Sequence, residues 1–150
     1  MSEQEKWDVQ QRPTGSVYYY IIGVDPGVET GFAVYCISNM KLLKVCSMSQ
    51  LEAFDEVMLW KERGKIRVIV EDARLISGIA VRKVGAGSVR RSCQLWQDFL
   101  LKNGLDFSLE RPKRHLTKLD ADAFKRYTGW SESSNSHGRD AGMICYRRVR

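Results

Sequence analysis

Three acidic side chains stand where a run of structure-forming residues gives way to a turn or opens a helix. Asp25 follows the run VYYYIIGV, Glu71 follows IRVIV, and Asp140 sits early in a closing helix that starts near His137. If the strands ending in Asp25 and Glu71 lie side by side in the same direction, their carboxyl ends point the same way and bring the two acids together. The closing helix can then supply the third. Converging carboxylates repel one another and are tolerated when a cation neutralises them, and hard oxygen donors favour Mg²⁺ or Mn²⁺. Two such ions ~4 Å apart would stabilise both the attacking water and the leaving oxygen of a phosphodiester. The chemistry is hydrolysis of a nucleic-acid backbone. His137, three residues before Asp140, shares its helical face, as a second metal ligand or a proton carrier would.

Each of these residues also has a plainer reading. Asp before Pro26-Gly27 initiates turns for its own sake, Glu71-Asp72 can be a solvated strand boundary, and Asp140 is favoured near a helix start by the helix dipole. A lone histidine is commonly a surface residue. Jointly, with the charge around them, the acids carry more weight than singly. The chain has 24 Lys and Arg against 18 Asp and Glu, a formal charge of +6, and a basic surface attracts polyanions. The cations cluster: Arg74, Arg82, Lys83, Arg90 and Arg91 occur without an intervening acid, Arg111 to Lys118 adds Lys113, Arg114, His115 and Lys118, and Arg147, Arg148 and Arg150 close the chain. Cations around an acidic centre suit a nuclease, holding flanking phosphates while the carboxylate-bound metals meet the scissile one.

These side chains need a scaffold, and 150 residues fit one hydrophobic core. Residues 1–16 are polar and read as a flexible leader, with a single domain over residues 17–150. Val17 to Val24, Gly31 to Ile37 and Leu42 to Met48 form a predicted three-stranded meander. Ser49 and Glu52 form a capping box for a helix with Leu51, Phe54, Val57 and Met58 on one face and Leu59 at its edge, ended by Gly64. Ile66 to Val70 is a short buried strand, placed parallel by the helical crossover. Ala73 to Gly87 reads as a loop, Ser88 to Lys102 as a helix burying Val89, Cys93, Trp96 and Leu100, Leu105 to Leu109 as a fifth strand, and Leu119 to Tyr127 as a short helix. The order is βββαβαβαα, an α/β fold with a central mixed five-stranded sheet flanked by helices. Cys36, Cys46, Cys93 and Cys145 form no C-x-x-C pair and read as reduced core thiols. No apolar run approaches bilayer-spanning length and no signal-like leader opens the chain, so a reducing intracellular compartment is expected.

The motifs carry a resemblance. Ile22-Gly23-Val24-Asp25-Pro26-Gly27 with Gly31 resembles the first motif of RuvC-type Holliday junction resolvases, Val68-Ile69-Val70-Glu71 the second, and His137-Gly138-Arg139-Asp140-Ala141 the last. The first is quite specific; the others are weak without it. The resemblance spans about Tyr18 to Tyr146. It implies a ribonuclease H-like fold, a homodimer, two Mg²⁺ ions per active site with Mn²⁺ as a substitute, and paired symmetric nicks in a four-way DNA junction. By position, Asp25, Glu71, His137 and Asp140 would be metal ligands, and Lys118 resembles a family lysine near the scissile region. A plain phosphate contact is the alternative for Lys118. Many bacterial members carry an aromatic residue three positions after the strand-end Glu, where this chain has Arg74. The helix with Trp96 and Phe99 is a candidate dimer contact, although core packing is the favoured reading for Trp96.

Other readings stay open. A nuclease of this fold can act on forks, flaps or other branched nucleic acid, and a non-catalytic junction-binding module would keep the same basic patches. An actin-like ATPase needs two lobes, for which 150 residues are too few. The small size and polar leader hint at a virus- or phage-encoded variant.

Overall fold

The computed structural model describes residues 17–76, 86–112 and 118–149. The leader at residues 1–16 lies outside them, as do Arg82, Lys83, Lys113, Arg114 and His115.

Among the described residues, five strands and four helices follow the expected order: β1 (Tyr20–Asp25), β2 (Glu29–Cys36), β3 (Lys41–Ser49), α1 (Gln50–Arg63), β4 (Ile66–Glu71), α2 (Ala86–Lys102), β5 (Asp106–Glu110), α3 (Ala121–Thr128) and α4 (Ser136–Cys145). A single 3₁₀ turn, Ala73–Leu75, follows β4. The sheet runs β3-β2-β1-β4-β5. β1 to β3 form an antiparallel meander, whereas β4 and β5 add in parallel beside β1. The mixed five-stranded α/β sheet is therefore the architecture the sequence leads one to expect.

Because side chains alternate along a strand, each central strand feeds two cores. Ile22, Val24, Phe32, Val34, Val68 and Val70 meet Val57, Trp60, Trp96 and Leu100 of α1 and α2 on one face. Ile21, Ala33, Tyr35 and Ile69 meet Phe124, Ala141, Ile144 and Cys145 of α3 and α4 on the other. Covered on both faces, β1 and β4 read as continuous apolar runs, and each fully buried aliphatic side chain contributes about 1.5–3 kcal/mol. Trp96 is a core residue, stacked edge-on against Phe54 with ring centroids 4.6 Å apart.

The face of α1 differs from expectation. Ala53, Val57 and Trp60 are its buried residues, while Leu51 and Leu59 are 74% and 55% exposed. Trp60 sets the rotation of the helix by packing edge-on against Tyr20 at 5.0 Å. Phe54 and Met58 then fall at the margin of the core. The cap is as expected, with the Glu52 N–H donating to Ser49 Oγ at 3.2 Å. All four cysteines are free, with Cys46 only partly buried.

Candidate active site

The register of β1 and β4 places the first two acids. Val24 lies opposite Val70 in the parallel ladder, so the next residues, Asp25 and Glu71, end the two strands at the same level. Asp25 shares the side of β1 that carries Ile21, and Glu71 the side of β4 that carries Ile69, which is the face covered by α4. β5 extends the row: Glu110 is the partner of Glu71 in the next parallel ladder.

The third acid depends on how closely α4 sits on the sheet. A Cβ on Gly23 would lie 2.2 Å from the Ala141 carbonyl oxygen, and one on Gly31 would lie 2.1 Å from that of His137. On the helix, a Cβ on Gly138 would meet the Cys46 backbone nitrogen at 2.9 Å. These glycines let backbone rest directly on backbone. The helix start is fixed by Asn135, whose Oδ1 accepts the Gly138 N–H at 2.8 Å. With the cap at Asn135, Asp140 belongs to the second turn rather than the first, so the helix dipole alone no longer accounts for it.

The electrostatics show that the acids share one region. The Asp25 carboxyl is pushed up to about 6 by burial first and then by the charge of Asp140, with His137 and Lys118 pulling the other way. Glu71 is pushed up to about 7 by burial and by Asp25, Asp140 and Glu110, against Lys118. Burial also raises Asp140, opposed by Lys118, His137 and Arg139. Lys118 thus acts on all three acids and His137 on Asp25 and Asp140, the groups being supplied by β1, β4, α4 and the segment before α3. Burial is the first cause of the rise at each of the three carboxyls, Asp25, Glu71 and Asp140, so their ionised forms are under-compensated. Among the described residues no three His, Cys, Asp or Glu side chains already stand at metal-binding separations. The donors converge from separate elements without closing a cage.

The cationic residues divide. Arg90 and Arg91 are exposed near the start of α2, at the same end of the sheet as Glu71. Arg74 is committed internally. Its Nε donates to Asp72 Oδ1 at 3.0 Å and its Nη2 to Oδ2 at 2.7 Å. The remaining donors reach Gln94 Oε1 at 2.5 Å and Gln97 Oε1 at 2.7 Å. Burial alone would raise the Asp72 carboxyl, but hydrogen bonds and charge from Arg74 outweigh it and hold the group below its ordinary range. Arg74 therefore ties the end of β4 to α2, its guanidinium engaged by Asp72, Gln94 and Gln97.

Two site neighbours escaped sequence reasoning. Glu110 was missed because the fifth strand was ended one residue early, at Leu109; it is held by Arg148, whose Nη1 donates to Oε2 at 3.0 Å. Glu29, beside His137, opens β2 two residues before the expected start, and nothing in its local sequence marks it.

No protein-family model and no curated protein matches the chain. Among solved structures, RuvC of T. thermophilus in complex with a Holliday junction substrate is similar in fold. The identity is 17%, the match covers 85% of this chain and 90% of that one, and the TM-score is 0.52. A second Thermus thermophilus RuvC structure matches at 15% identity over 85% of this chain and 91% of that one, with a TM-score of 0.49. The chain therefore has the ribonuclease H-like α/β fold found in RuvC.

Proposed function

We propose that this protein is a divalent-cation-dependent endonuclease that resolves four-way DNA junctions. The observation that carries the reading is the convergence of Asp25, Glu71 and Asp140 at the carboxyl edge of the sheet, with Asp25 pushed up to about 6 by burial and Asp140, and Glu71 to about 7 by burial, Asp25 and Asp140. That charge needs a cation, and the donors are hard oxygens with one imidazole, which suits Mg²⁺ or Mn²⁺.

Asp25, Glu71 and Asp140, with His137, would hold the metal. When bound, it would neutralise the carboxylates and stabilise charge developing on the scissile phosphate. The protein's own groups do the rest. Asp25 and Glu71 serve as ionised ligands, His137 takes a proton from the attacking water or completes the ligand set, and Lys118, exposed at the rim, holds a phosphate oxygen beside the scissile bond. Arg90 and Arg91 contact flanking phosphates. A homodimer would place two such sites on one junction and cut it symmetrically. Among the described residues no helix is long and apolar enough to cross a membrane, and the free cysteines suit a reducing, DNA-containing compartment.

The test is cleavage of an end-labelled four-way junction beside a fork and a linear duplex of related sequence, with Mg²⁺, Mn²⁺ or EDTA. Paired symmetric nicks confined to the junction and abolished by EDTA support the reading. Equal cutting of the fork would make the protein a general branched-DNA nuclease, and binding without cutting in any metal would make it a junction-binding module.

A further inference from the structure

A ring of contacts joins the start of β2, the end of β3 and the first turn of α4. Asn135 caps α4 through Oδ1 and donates from Nδ2 to Ser47 Oγ at 2.7 Å. Ser47 Oγ donates in turn to Glu29 Oε1 at 3.0 Å. The other Glu29 oxygen, Oε2, lies 3.8 Å from His137 Nε2. Glu29 thus divides its two oxygens between the β3 anchor and the imidazole, and the ring closes on the helix it started from.

We propose that Glu29 is a positioning residue for His137, fixing which imidazole nitrogen faces the carboxylate centre. The inference rests on the endonuclease reading above. A histidine's two nitrogens are distinct, and the partner of one decides what the other presents. With Nε2 turned to Glu29, Nδ1 is the nitrogen left to serve the centre, and the imidazole lies near enough for its charge to act on Asp25 and Asp140. Stability does not account for the pair. The Glu29 and His137 side chains are 63% and 46% exposed, and an ion pair so open to water contributes little to folding. The anchoring of Glu29 by Ser47, itself held by the helix cap, has its consequence in orientation. Outer partners of metal-binding histidines typically affect metal affinity or activity by about 10–100-fold, and the exposure of this pair places the expected effect near about 10-fold.

The experiment uses the whole chain with Glu29→Ala, Glu29→Gln, His137→Ala and the Glu29→Ala/His137→Ala double variant. Mn²⁺ affinity is measured by calorimetry without DNA, single-turnover cleavage on a four-way junction with Mn²⁺, and junction affinity in EDTA. Glu29→Ala should weaken Mn²⁺ binding and slow cleavage about 10-fold each, with unchanged melting temperature and junction affinity. Glu29→Gln, which keeps a hydrogen-bond acceptor, should fall between it and the parent. In the His137→Ala background the Glu29 substitution should have no further effect. Equal losses with and without His137 would overturn the proposal, as would undiminished Mn²⁺ affinity in Glu29→Ala. Should the parent protein cut no junction while the Mn²⁺ results hold, the endonuclease reading falls and the Glu29–His137 coupling stands. Ser47→Ala removes only the anchor and should lose a smaller share in the same direction.

Discussion

Replacing Asp25 with Asn should stabilise the cation-free protein at pH 8 while abolishing its cleavage. The carboxyl has an ordinary value of 3.8 and is pushed up to about 6 in the folded chain. A group with a raised folded value supports the fold fully below its unfolded value, and that support is lost as the pH rises through the folded one. By pH 8 the whole difference has gone, about 3 kcal/mol at about 1.4 kcal/mol per pKa unit. Asn is neutral throughout and escapes that loss. Residual solvent and side-chain relaxation reduce the gain to about 1–2 kcal/mol, which for a domain of this size is about 3–6 °C in melting temperature. The assay is calorimetric or circular-dichroism melting in EDTA from pH 4 to pH 8, for parent and variant side by side. The variant should melt higher at pH 8, and the gap should narrow steadily toward pH 4. A variant no more stable than the parent at pH 8, or a gap that ignores pH, would refute the electrostatic reasoning.

Other consequences follow from the same geometry. Mg²⁺ or Mn²⁺ should raise the melting temperature of the parent at pH 8 but not that of Glu71→Gln, read by the same melts with and without EDTA. Arg74→Ala should destabilise by about 3–5 kcal/mol in urea unfolding, because Asp72 is only 1% exposed and would be left charged without its partner; an ordinary exposed phosphate contact would instead leave the urea midpoint unchanged. Gly31→Ala should cost about 1–3 kcal/mol and lower cleavage, since its Cβ would lie 2.1 Å from the His137 carbonyl oxygen; full activity with unchanged stability would mean that α4 need not sit so close.

Much of this arrangement is legible in the sequence, for reasons that differ by element. The apolar runs of β1 and β4 are readable because both faces of those strands are buried, and the acid ending each run marks where burial stops. The lateral order that joins them follows from the α1 crossover. Features that depend on side chains distant in sequence are not readable. Arg74 looks like one more surface cation until Gln94 and Gln97 of α2 are folded against it. The rotation of α1 is decided by Trp60 meeting Tyr20, so a face counted from helical spacing alone selects Leu51 and Leu59 instead. Glu110 needs the β5 register, which a strand ended at Leu109 cannot supply.

The glycines and the acids explain each other. The repulsion that Asp140 exerts on Asp25 and Glu71 would be relieved most cheaply if α4 drifted off the sheet, carrying Asp140 away from them. Contact of helix and strand backbones at Gly23, Gly31 and Gly138, above a core in which Ile21, Ile69 and Ala141 are fully buried, makes that motion costly, because opening the seam exposes apolar surface along its length. The remaining routes are protonation, which operates below about pH 6–7 at Asp25 and Glu71, and a bound cation, which operates above it. On the proposed reading, a rigid seam would turn electrostatic repulsion into affinity for a divalent ion, and the same seam that lowers the stability of the cation-free protein near neutral pH holds the three acids along the sheet edge.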